Sequence, residues 1–107
     1  MSGSHKVKLM DSGTALFKAA SMEEATRKLQ AALISGGGAL TEEGGVWTLD
    51  FSTWRYWQFL EARLEATSLP GTYAAVLRTG DAPRLPFDLP SRQAVCRTQA
   101  ILERLKA

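Results

Sequence analysis

Proton transfer near neutral pH needs a group that ionises there, and histidine is the side chain whose ordinary pKa suits the task. The chain has one histidine, His5, within the small polar stretch Met1–Lys6. Residues 1–10 read as a flexible N-terminus. Serine, threonine and cysteine nucleophiles that rely on a histidine base therefore drop out, as do histidine metal sites. The one cysteine, Cys96, can form neither an internal disulfide nor a thiolate zinc cluster, which fits a reducing, cytoplasmic setting. At about 100° per residue it falls off the apolar stripe of its own segment, as an exposed thiol with Arg92 one turn earlier. No resolving thiol or base accompanies it, so it reads as a bystander.

The remaining patterns are structural. Glu23 and Glu24 favour the positive end of a helix, and Glu42 and Glu43 sit in a turn; neither pair converges on a pocket of the glycosidase kind. Gly36-Gly-Gly38 lacks the Lys-Ser/Thr of a phosphate loop and follows a helix instead of preceding one. Pro83-Arg-Leu-Pro86 has the PxxP spacing, which a proline-rich loop meets by chance. The expectation is a protein that is not an enzyme, with no catalytic residue, no metal and no cofactor.

One segment carries more apolar surface than its surroundings explain. Thr53-Trp-Arg-Tyr-Trp-Gln-Phe-Leu-Glu-Ala-Arg-Leu-Glu-Ala66 reads as a helix, with Tyr56, Trp57, Leu60 and Leu64 on a core-facing side. Phe59, Ala62 and Ala66 fall on the other side with Arg55 among them. A helix in so small a domain seldom has protein on both sides, and aromatic residues with arginine dominate binding hot spots. Trp54, Arg55, Phe59, Ala62, Arg63 and Ala66 are accordingly the candidate partner-binding residues. Stacking on single-stranded bases fits less well, since helix-borne aromatics lack the flat sheet of stacking modules.

The elements that would position this segment follow from local signals. Ser21-Met-Glu-Glu24 has the capping-box spacing, so a helix begins at Met22, with Met22, Ala25, Leu29, Ala32 and Leu33 as its stripe. Ser35-Gly-Gly-Gly38 ends it. Ala39–Thr41 and Val46–Phe51 form a hairpin around Glu42–Gly45, with Trp47, Leu49 and Phe51 facing the core. Asp50 or Ser52 caps the aromatic helix, and Pro70-Gly71 closes the loop after it. Thr72–Thr79 fits a strand or a short helix, and its two alanines tilt the reading to helix. Gly80–Pro90, with Pro83, Pro86 and Pro90, reads as an extended surface loop. Ser91 caps a last helix to Lys106, with Ala94, Val95, Thr98, Ile101, Leu102 and Leu105 inward and Arg97 outward. The sum is one α+β domain over residues 11–107, a small antiparallel hairpin or sheet packed with about three helices.

Size and charge bound what such a domain can do. A chain of 107 residues and 45% hydrophobic composition supports one modest core, and no run approaches the ~20 apolar residues of a membrane helix. Residues 11–67 carry five basic side chains against eight acidic, and residues 68–107 six against three. This mild polarity orients encounters without making a dense nucleic-acid stripe. The preferred reading is a small cytoplasmic regulatory protein of the inhibitor or anti-activator type. It binds another protein through the aromatic segment, as a homodimer. The rival is nucleic-acid binding in transcription regulation through Arg78, Arg84, Arg92, Arg97, Arg104 and Lys106.

Overall fold

Apolar and polar residues alternate over much of the chain. A computed structural model, which describes residues 8–85 and 92–106, folds these runs into five strands with two helices. Met10–Lys18 is β1 and Met22–Ser35 is α1; Ala39–Glu43, Val46–Asp50, Tyr56–Ala66 and Thr72–Pro83 are β2 to β5, and Gln93–Lys106 is α2. The strands make one antiparallel sheet in the order β1-β5-β4-β3-β2. A meander thus runs from β2 to β5, and β1 is laid against β5 by way of α1.

Both helices cover one face. Ala15 and Phe17 of β1, Trp47 and Leu49 of β3, Leu60 and Ala62 of β4, and Ala75 and Leu77 of β5 form a single core. Against them pack Ala25, Leu29, Ala32 and Leu33 of α1 and Ala94, Ile101, Leu102 and Leu105 of α2. Among the described residues no helix covers the other face, as antiparallel sheets allow. By the two-residue alternation of strands it carries Thr48, Glu61, Arg63, Val76, Arg78 and Leu16. Buried alanines opposite one another, Ala15 and Ala75, let the helices approach the middle of the sheet.

The local signals hold at both helices. Ser21 Oγ accepts from the Glu24 amide at 3.1 Å, and Glu24 Oε1 accepts from the Ala20 amide at 3.2 Å, a reciprocal cap shifted by one residue from the simple box. Ser35 ends α1, and Gly38 turns the chain at φ +97° where a Cβ would meet the Asp50 carbonyl at 2.7 Å. The inward stripe of α2 is as read except for Val95, which is exposed. The hairpin of β2 and β3 pairs Ala39 with Asp50 and turns at Gly44-Gly45.

Two helices of the sequence reading are strands. Within the segment 53–66, Tyr56–Ala66 is β4, in which Gln58, Leu60, Ala62 and Leu64 face the helices while Trp57, Phe59, Glu61, Arg63 and Glu65 face away. A helical wheel spread those apolar residues over two sides; a strand with Leu60 and Ala62 on one face and Trp57 and Phe59 on the other spreads them the same way. Thr72–Thr79 likewise lies within β5, paired along both edges with β1 and β4. That strand continues through Gly80 to Pro83, residues that the prolines of Gly80–Pro90 predict as loop. Pairing on both sides supplies every backbone partner there and overrides the alanines' helix preference. The described residues therefore contain two helices, not about three. Of the N-terminus 1–10 read as flexible, residues 1–7 lie outside the described residues, as do Pro86, Pro90 and the Ser91 cap, whereas Met10 belongs to β1.

Candidate functional site

Asp50 and Ser52, read as helix caps, build a hairpin end instead. Asp50 Oδ1 accepts from the Ser52 amide at 2.9 Å, and Ser52 Oγ accepts from the Gln58 amide at 2.9 Å. The Thr53 amide donates to the Tyr56 carbonyl at 2.9 Å, and the Tyr56 amide to Thr53 Oγ1 at 3.2 Å. Trp54 and Arg55 are left as the tip of the β3–β4 connection, and Trp54 is 76% exposed. The Arg55 guanidinium lies 5.7 Å from the Trp54 ring centre and 5.7 Å from that of Tyr56. From the end of β5, the Arg84 amide donates to the Arg55 carbonyl at 2.7 Å while its guanidinium stands 5.0 Å from the centre of Trp57.

One end of the sheet thus gathers three aromatic rings and two arginines in cation–π contact, each contact contributing about 0.5–1 kcal/mol at an exposed position. A flat, rigid indole at a tip loses little conformational freedom on docking, and tryptophan, tyrosine and arginine are the types that anchor interfaces. The arrangement offers contact chemistry, with apolar area and fixed cations.

Of the six residues singled out by sequence, only Trp54 and Arg55 are brought together here. Phe59 is 7% exposed on the helix-free face, paired across the strands with Asp50 and Gly80. Ala62 is in the core beneath the helices. Arg63 is exposed with Nε 3.5 Å from Glu61 Oε1, and Ala66 ends the strand, twelve positions from Trp54 or about 40 Å along an extended chain. Tyr56, Trp57 and Arg84 complete the cluster instead. Period-two alternation would have put Trp57 on the face of Phe59 and Tyr56 on the opposite one; Arg84 joins only through the β4–β5 register, which leaves no local trace.

The six cations of the C-terminal third are dispersed. Arg78 lies 3.6 Å from Asp11 and 3.8 Å from Glu61 on the open face. Glu61 Oε1 is buried without a hydrogen bond yet sits between Arg63 and Arg78, so it is held by charge alone. Arg97, expected to point outward, is half-buried: it donates to the Gly36 carbonyl at the end of α1 and covers the Phe51 ring at 5.0 Å. A cation there suits the negative end of that helix. Arg84 is at the aromatic end, Arg92 is exposed at the start of α2, and Arg104 and Lys106 are at its far end.

Cys96 is exposed on α2, and the described residues hold no cluster of three or more potential metal ligands. No helix among them is long and apolar enough to cross a membrane. No family model matches this chain, and no curated protein or solved structure is significantly similar to it.

Proposed function

We propose that this chain is a small non-catalytic regulatory protein, of the inhibitor or anti-activator type. It docks on another protein through the aromatic and arginine end of its sheet, and pairs with a second copy of itself through the same end when that partner is absent. The observation that carries the reading is Trp54, three-quarters exposed at a hairpin tip beside Arg55 and Tyr56. Apart from the Arg55 contact, neither the core nor the turn uses its ring: the turn is closed by Thr53 and Tyr56, whose bonds need no tryptophan. Leaving so large an apolar group in water is unfavourable by roughly 1.5–3 kcal/mol relative to covering it.

The test is light scattering at rising protein concentration, with circular dichroism as the check on folding. Wild type is expected to form dimers, and Trp54→Ala to remain folded and monomeric. Phe59→Asp is the control, expected to unfold the domain because its ring is enclosed by its own chain. A monomeric wild type, or a Trp54→Ala variant that pairs as well as wild type, would remove the aromatic end as the contact.

A further inference from the structure

A groove of about 650 Å³ runs beside β1, floored by Leu16, Phe17 and Leu105 and rimmed by Lys18, Lys28, Arg104 and Lys106. Four cations line it and no carboxylate does. The last turn of a helix favours cations, which accounts for Arg104 and Lys106 but not for Lys18 or Lys28. Lys28 is engaged, donating to the Lys18 carbonyl at 2.8 Å and lying 3.4 Å from Glu24. Among the described residues no ion pair holds Lys18, Arg104 or Lys106.

Among the described residues, no strand pairs with the outer edge of β1. Leu16 and Phe17 point to opposite faces of the sheet, and a single groove touches both only if it lies along the strand's edge. β1 is the edge strand of the sheet. The Lys18 carbonyl that receives Lys28 points away from β5, while the Ala19 amide points inward to the Gly71 carbonyl at 3.0 Å. By the two-residue repeat, the amides and carbonyls of Thr14 and Leu16 face the outer edge of β1, and Leu16 lines the groove. An open edge is a template for another strand.

We propose that this edge takes up an extended, acidic segment of a partner protein as a sixth strand. Its backbone pairs with Thr14 and Leu16, its apolar side chains cover Leu16 on the helix-free face, and its carboxylates, alternating to the helix side, meet Arg104 and Lys106. A second copy of β1 is the wrong occupant, since residues 8–18 carry Lys8 and Lys18 against Asp11 alone and would bring positive charge to a positive rim. The site names the chemistry of the partner in the reading above. It lies at the opposite end of the sheet from Trp54, so either contact can fail without the other.

The probe is a fluorescein-labelled ten-residue peptide of alternating glutamate and valine, followed by anisotropy on the full chain. The expected result is saturable binding that weakens as salt rises and is absent for the lysine–valine counterpart. Arg104→Glu with Lys106→Glu, both at exposed positions, should weaken it by about tenfold or more with the circular dichroism spectrum unchanged. Methylating every second backbone nitrogen of the peptide should abolish it, because strand pairing needs those donors. The proposal is overturned if the glutamate–valine peptide does not bind, if the methylated one binds as well, or if the same charge reversal breaks self-association of the wild type, which would make the occupant a second copy.

Discussion

Thr79 Oγ1 and Thr98 Oγ1 stand 2.7 Å apart in the buried seam between β5 and α2. Thr98 spends its one hydroxyl proton on the Ala94 carbonyl at 2.8 Å, so Thr79 is the donor of the pair. Thr98→Val would leave the Thr79 hydroxyl buried without an acceptor, at a cost of about 1–3 kcal/mol. The double variant Thr79→Val with Thr98→Val should recover most of that loss, since removing both partners strands neither. Urea unfolding of the four proteins measures the coupling, and additive losses would show that the hydroxyls do not depend on each other.

The cap of α1 should make stability depend on pH. The Ala20 amide, bonded to Glu24, holds that carboxylate below its ordinary value of 4.5, with Lys28 and Arg27 adding to the effect. A lowered folded-state pKa contributes stability that is complete above the unfolded value and is lost as pH falls through the folded one. Glu24→Gln should therefore lower the melting temperature at pH 7 and flatten its decline below about pH 4.5. Equal melting curves for the two proteins across that range would show that the carboxylate bond contributes nothing.

Two glycines should respond in opposite ways. Gly38 has φ +97°, and a Cβ would come within 2.7 Å of the Asp50 carbonyl, so Gly38→Ala should cost more than about 1 kcal/mol. Gly44 has φ +60° with open space around it, a conformation asparagine also adopts in hairpin turns. Gly44→Asn should change stability by less than about 0.5 kcal/mol. Thermal denaturation distinguishes the two, and a harmless Gly38→Ala would mean the α1–β2 connection shifts freely.

Legibility in the sequence followed the range of the interactions. Ser21 and Glu24, the Gly44-Gly45 turn, the alternation through Trp47, Leu49 and Phe51, and the stripe of α2 act within a few residues, so their types and spacing announced them. Thr53–Ala66 did not yield to the same reasoning. Alanine, leucine, glutamate and arginine there are ordinary helix formers, and only pairing with β3 on one side and β5 on the other makes the segment a strand. The candidate site divided the same way: Trp54 and Arg55 were found by type, whereas Phe59 and Ala62 were placed inside by a register no local pattern contains.

By itself the amino-acid sequence determined one α+β domain, both ends of the first helix, the inward face of the last, and the residues with binding chemistry. Tertiary structure alone decided which aromatic rings were enclosed, which arginines were neutralised, and that four cations meet beside the edge strand β1. The reason is physical. Caps and turns are satisfied by neighbours along the chain, while a sheet's hydrogen bonds, and the burial they impose, are satisfied by strands far apart in it.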